Sequence, residues 1–159
     1  MPLPEVKNIL YTTSLSKHTR PVFRHVVKLA SLYQARVIML HVVEPIGEMG
    51  HALIENYVPE ELIKKIHDEG IDHIKQTMKE RVTRFYNEEL SAIDGVASLA
   101  IEQVVAEGNH SDAIIDIAKS FNVDLIVMGS HNSLGRSSGT TRSVIKYAKR
   151  PVMVIPTRG

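Results

Sequence analysis

The sequence predicts an α/β protein: an open five-stranded parallel sheet, in the order 3-2-1-4-5, with helices on both faces. Three observations predict it. Short apolar runs alternate along the chain with amphipathic segments of helical period. Runs such as Val37-Ile38-Met39-Leu40 are apolar residue after residue, as strands covered on both faces require. The 159 residues are 43% hydrophobic, enough for one core and one domain over 1–159.

Taken in order, Val6 to Thr13 is the expected first strand, because Ile9, Leu10 and Tyr11 are apolar in succession. Ser14-Leu15-Ser16 ends it, and Pro21 suits the first turn of a helix. Val22, Val26, Val27, Ala30 and Leu32 are the expected inner face of that helix, through Tyr33. Arg36 to Val43 is the second strand. Glu44 to Pro59 reads as a longer connection. In the amphipathic segment that follows, Leu62, Ile63, Ile66, Ile74, Met78, Val82 and Phe85 recur at three- and four-residue steps. Lys64, Lys65, Asp68, Lys79 and Glu80 form its solvated side, and Gly70 weakens its middle. Ser98 to Val105 is the third strand. Asn109 or Ser111 caps the next helix, with Ala113, Ile114, Ile117 and Ala118 inward. Asp124 to Met128 is the fourth strand. Thr140 to Lys149 is the last helix, with Val144, Ile145 and Ala148 inward. Lys146, Lys149 and Arg150 complement its dipole at the C-terminal end. Pro151 stops it, and Val152 to Ile155 is the fifth strand.

Composition removes several functions. The net charge is +1, with both signs interspersed, which argues against a general nucleic-acid binder. There are no cysteines, hence neither disulfides nor thiolate metal sites. No signal-peptide pattern or membrane-length apolar run is present, so a soluble cytoplasmic protein with no membrane partner is expected. The eight histidines show no ligand spacing of the H-E-x-x-H kind, so no metal site is expected.

In open sheets of this order, ligands bind outside the carboxyl ends of the strands, where the strand order reverses. The reversal between strands one and four is lined by Thr12, Thr13 and Ser14, by His41 and Val42, and by Met128, Gly129 and Ser130. Into it runs the loop His131-Asn132-Ser133-Leu134-Gly135-Arg136-Ser137-Ser138, followed by Gly139-Thr140-Thr141 and a helix. Gly, Ser, Thr and Arg before a helix N-terminus offer backbone N–H groups, hydroxyls and positive charge to a phosphate. The loop carries neither G-x-x-x-x-G-K-[ST] nor G-x-G-x-x-G after the first strand. A second reading of Gly129 and Gly139 stays open: they serve only to permit tight turns.

Val127-Met128-Gly129-Ser130-His131 resembles the V-M-G-S-H signature of the universal stress protein A family. Lys7-Asn8-Ile9-Leu10-Tyr11, Leu40-His41-Val42, Asp124-Leu125-Ile126 and Arg150-Pro151-Val152-Met153-Val154-Ile155 resemble it in the same order, over the whole chain. The resemblance implies a Rossmann-like fold of the adenine nucleotide alpha hydrolase type. It implies a stress-response regulatory protein that binds ATP, possible Mg²⁺ included, at the loop after strand four. It also implies a homodimer formed through the edge strand Val152 to Ile155. The residues it marks for the nucleotide are Thr12, Thr13, Ser14, Val42, Met128, Gly129, His131, Asn132, Gly139, Thr140 and Thr141. ATP-binding members carry G-x-x-G, nine residues, then G-[ST]. Here Asn132 stands at the second glycine, and Gly139-Thr140 comes about three to four residues early. Those members also carry Asp where this chain has Ser14. These departures keep a nucleotide-free dimeric adaptor, acting on an unknown protein partner, as the alternative.

An enzyme is the weaker expectation. Phosphoryl transfer needs a carboxylate to hold Mg²⁺ near the phosphates, and no Asp or Glu lies between Gly129 and Ser143. Ser130 and His131 are adjacent, but no third group orients them as a triad. No catalytic residue is assigned, and a slow ATPase is the most that this loop allows.

Overall fold

The computed structural model describes residues 2–15, 19–43, 57–88, 99–130 and 139–157. Its elements are β1 (Asn8–Thr12), α1 (Arg20–Tyr33), β2 (Arg36–Val43), α2 (Glu60–Glu88), β3 (Ile101–Glu107), α3 (His110–Ser120), β4 (Leu125–Gly129), α4 (Gly139–Tyr147) and β5 (Val152–Ile155). All neighbours pair in parallel, and the sheet order is β3-β2-β1-β4-β5. The expected topology is the observed one.

Strand residues alternate between the two faces, and the core follows that period of two. Ile9, Tyr11, Val37, Met39, Leu125 and Val127 pack beneath α1 and α2. Leu10, Ile38, Leu40, Val42, Ile126 and Met128 pack beneath α3 and α4. The central strands are buried on both sides, which is why their sequences read as unbroken apolar runs. Asp124 fastens the start of the sheet. Its carboxylate accepts the N–H groups of Lys7 and Asn8, at 2.8 and 2.9 Å, and so ties the entry of β1 to that of β4.

Four expectations shift. On α1 the inner face is Val22, Phe23, Val26, Val27 and Ala30, while Leu32 is 66% exposed. Leu32 lies two residues past Ala30, about 200° round the helix. On α4, Val144 and Ala148 face the sheet and Ile145 is turned outward. On α2, Met78 and Phe85 are buried, whereas Leu62 and Ile66 are exposed. The 29 residues of α2 reach roughly 43 Å at 1.5 Å per residue. The seven of β3 reach about 23 Å, so one end of the helix overhangs the sheet. Finally, β3 runs later than expected, because pairing of Val37 with Ile101 and of Val43 with Glu107 sets its limits. Ser98 and most of the connection 44–59 lie outside the described residues.

Candidate functional site: the crevice where the strand order reverses

The site is built at the carboxyl ends of β1, β2 and β4. Tyr11 pairs with Val127 and Thr12 with Leu40. Continuing that register sets Thr12 level with Met128 at the mouth of the sheet. Beyond β1 the chain turns sharply, and the turn is pinned three ways. Thr13 N–H donates to Leu40 O at 2.9 Å. His41 Nδ1–H donates to Thr13 O at 2.8 Å. Thr13 Oγ1 accepts the N–H of Leu15 at 3.1 Å. His41 is thus the satisfied histidine of a half-buried strand position. Leu15 sits at φ 59°, in the left-handed region. A bulky side chain rarely adopts that backbone, so the surrounding bonds must hold the strained turn in place.

Val42 and Met128 are buried above α3 and α4 and form the floor between the strand ends. Gly129 ends β4 and pairs with Ile155. It is no left-handed turn residue; a Cβ there would meet Thr157 Cγ2 at 3.2 Å and Val22 Cγ2 at 3.5 Å. The glycine is needed for close packing of three segments. Ser130 continues the clasp: its N–H donates to Ile155 O at 3.0 Å, and its Oγ accepts the N–H of Thr157 at 3.0 Å.

Past the loop, α4 opens with Gly139, Thr140 and Thr141. Among the described residues, a Cβ on Gly139 would meet nothing within 4 Å. Neither glycine takes a left-handed backbone. Thr141 Oγ1 is enclosed and, among the described residues, has no hydrogen-bond partner. A buried polar atom left so costs roughly 1–3 kcal/mol. His131 and Asn132, also marked in the sequence, lie outside the described residues. The remaining nine marked residues fall on the ends of β1, β2 and β4, on the turn after β1, or on the first turn of α4.

The universal stress protein family model matches residues 5–156. The chain belongs to the universal stress protein family. Among its relatives, universal stress protein Sll1654 of Synechocystis is 28% identical, over 94% of this chain and 85% of that one. The structure of the universal stress protein UspA from Lactobacillus plantarum superposes with a TM-score of 0.74, at 23% identity, covering 96% of this chain and 99% of that one. Two more distant universal stress proteins were solved with nucleotides. One, in complex with cAMP, has a TM-score of 0.61 at 17% identity, over 97% of this chain and 99% of its own. The other, from Archaeoglobus fulgidus in complex with dAMP, has a TM-score of 0.54 at 17% identity, over 96% and 99%. At such identities the likeness speaks to the fold alone, an α/β architecture with a five-stranded parallel sheet.

What sequence reasoning passed over in this universal stress protein lies on the other side of β1. Phe23, missed by the inner-face assignment on α1, stacks on Tyr11 with ring centroids 5.5 Å apart and meets Phe85 at 4.7 Å. Around these rings stand Arg20, Arg81 and Arg84. The signal available in the sequence was the spacing of Arg81, Arg84 and Phe85 within one turn of α2. Burial pushes the Tyr11 hydroxyl pKa up, against the opposing pull of hydrogen bonds to Thr13 and Thr19 and of the Arg81 charge. Among the described residues no group of three His, Cys, Asp or Glu could hold a metal ion, and no helix is long and apolar enough to cross a membrane.

Proposed function

We propose that this universal stress protein is a regulatory binding protein whose ligand is an adenine nucleotide, ATP in the first instance, held in the crevice at the ends of β1 and β4. The adenine lies beside Thr12 and Val42, over the floor made with Met128. Thr13 and Ser14 face the sugar. The phosphates rest on Gly129, Gly139, Thr140 and Thr141 at the N-terminus of α4, and His131 and Asn132 belong to the same proposed set. The observation that supports this reading is at the N-terminus of α4: among the described residues nothing stands within 4 Å of a Cβ on Gly139, and Thr141 Oγ1 has no hydrogen-bond partner. Helix N-terminal N–H groups and the helix dipole favour an anion there. The related structures solved with dAMP and cAMP support the choice of an adenine nucleotide.

Hydrolysis is not part of the proposal. The segment Gly139–Tyr147 has no carboxylate to hold Mg²⁺ beside a phosphate, so nucleotide occupancy rather than turnover is the signal. That signal is passed to a second copy through the edge strand β5 and to a protein partner in the cytoplasm.

Calorimetric titration with ATP and Mg²⁺, repeated with AMP and cAMP, tests the reading. Binding should appear in the micromolar to millimolar range. Gly139→Leu should weaken it at least about tenfold by placing a side chain against the phosphates, since losing one or two charge-assisted bonds is worth about that much. Among the described residues nothing stands within 4 Å of a Cβ at that position. No heat and no rise in Tm at millimolar nucleotide would leave the nucleotide-free adaptor in its place.

A further inference from the structure

A cavity of about 370 Å³ lies between the N-terminal turn of α1, the last turns of α2 and the ends of β1 and β2. It is on the α1/α2 face of the sheet, beneath which Tyr11 and Met39 pack, whereas Val42 and Met128 of the nucleotide crevice belong to the opposite face. Its volume lies in the range of small-molecule sites, which combine apolar or aromatic walls with a few convergent polar groups.

The walls are flat. Tyr11 and Phe23 stack at an interplanar angle of 9°, and Phe85 leans on Phe23 at 54°. The polar groups have one sign. Arg20, Arg81 and Arg84 contribute three guanidinium groups to the lining, and no acidic side chain is among the described residues that line it. Arg20 reaches across the mouth from α1 to Glu88 on α2 at 2.6 Å, with both side chains about half exposed. It also sits 6.0 Å from the centre of the Phe85 ring. An exposed pair of this kind is worth little on its own, so an incoming anion can compete with Glu88 for Arg20. Guanidinium forks match carboxylate and phosphate oxygens in pairs, and they stand here at the rim of an aromatic slot. At the floor, Tyr11 is 2% exposed and directs its hydroxyl toward Thr19 O at 3.5 Å.

We infer that this cavity is a second ligand site, which takes a small planar organic oxyanion: an aryl carboxylate or aryl phosphate, its ring against Phe23 and Phe85 and its oxygens on Arg81, Arg84 and Arg20. Thr13 lines the cavity and also anchors the turn that follows β1. The ligand therefore reports on, and acts on, the same turn that borders the nucleotide crevice.

Protein-detected NMR with the full chain tests this. The probes are phenyl phosphate and benzoate, with inorganic phosphate and phenol as controls for the anion alone and the ring alone. Both aryl oxyanions should shift the signals of Phe23, Phe85 and Tyr11 and give contacts from the probe ring to Phe23 and Phe85. Each control should bind at least about tenfold more weakly, since it lacks either the charge-assisted bonds or the ring stacking. The exposed double variant Arg81→Gln/Arg84→Gln should lose at least about tenfold in affinity, the value of roughly one charge-assisted bond. An unchanged melting temperature establishes that this variant is folded; Arg84→Gln alone, with a smaller loss, serves if it is not. Absence of shifts at millimolar probe overturns the inference. So does affinity untouched by loss of the arginines, or probe contacts that fall on Val42 and Met128 instead.

Discussion

Thr141 is the residue at which structure and proposed function diverge in a measurable way. Its hydroxyl is enclosed at the first turn of α4 with no hydrogen-bond partner among the described residues. In the ligand-free protein that atom is a cost of roughly 1–3 kcal/mol. Thr141→Val keeps the shape and removes the polar atom. It should leave the free protein as stable or raise its stability by about 1 kcal/mol, seen as a higher Tm. In the same variant ATP should bind several-fold more weakly if the hydroxyl donates to a phosphate. A variant destabilised without ligand would show that the hydroxyl has a partner in the fold. One that binds ATP as before would remove Thr141 from the site. Gly129 teaches the complementary lesson. The sequence marks it as a family glycine, yet its immediate reason is the approach of Thr157 and Val22, which no local pattern reveals because those residues come from α1 and the far end of the chain.

At the scale of elements, α2 rests on the sheet by its second half and leaves its first half overhanging. Among the described residues, His67 on α2 ties the overhanging part down: it meets Glu107 at the end of β3 and also Asp68 beside it. The hydrogen bond to Asp68, then that to Glu107 and its charge, favour the imidazolium and raise the His67 pKa above its ordinary value. A raised folded-state pKa contributes fully below the unfolded value of about 6.5 and is lost as pH rises through the folded value. The pair is solvent-exposed, so the effect is local and weakened by salt. The His67 ring signals should titrate above pH 6.5 by NMR, and Glu107→Gln should bring the midpoint back down. Titration at or below 6.5 in the parent protein would dismiss the tether.

The elements themselves were largely legible. β2 and β5 have the limits that their apolar runs suggest, and Asn109 caps α3 by accepting the N–H of Asp112 at 3.2 Å. β3 was displaced because an edge strand that bears Glu102, Gln103 and Glu107 carries its limits in pairing rather than hydropathy. For the same reason the crevice could be located from topology. The aromatic and arginine cavity could not, because it joins α1 to the last turns of α2, some sixty residues apart in the chain.

At the scale of the whole molecule, β5 is one of the two edges of the sheet, and its geometry allows the proposed dimer to be tested without touching the core. In a parallel ladder alternate residues turn both N–H and C=O to the same side. Ile126 N–H donates to Pro151 O and Ser130 N–H to Ile155 O, so Pro151, Met153 and Ile155 face β4. Val152 and Val154 then direct their backbone groups outward. They are half-buried, and Ile145 and Tyr147 of the preceding helix α4 are exposed. A two-fold axis through this edge would pair β5 antiparallel with its copy and extend one sheet across two subunits, removing an edge that would otherwise invite aggregation. Proline is tolerated at an edge position whose N–H points away from the sheet. Val154→Pro should therefore keep the fold, with circular dichroism unchanged, while removing an outward donor at the centre of the new pairing. Light scattering on a sizing column should give the mass of two chains for the parent and of one for the variant. A parent that is already monomeric, or a folded variant that remains a dimer, would place the interface elsewhere. If the nucleotide regulates assembly, the parent's dimerisation should also respond to ATP, whereas Gly139→Leu should dimerise identically with and without it.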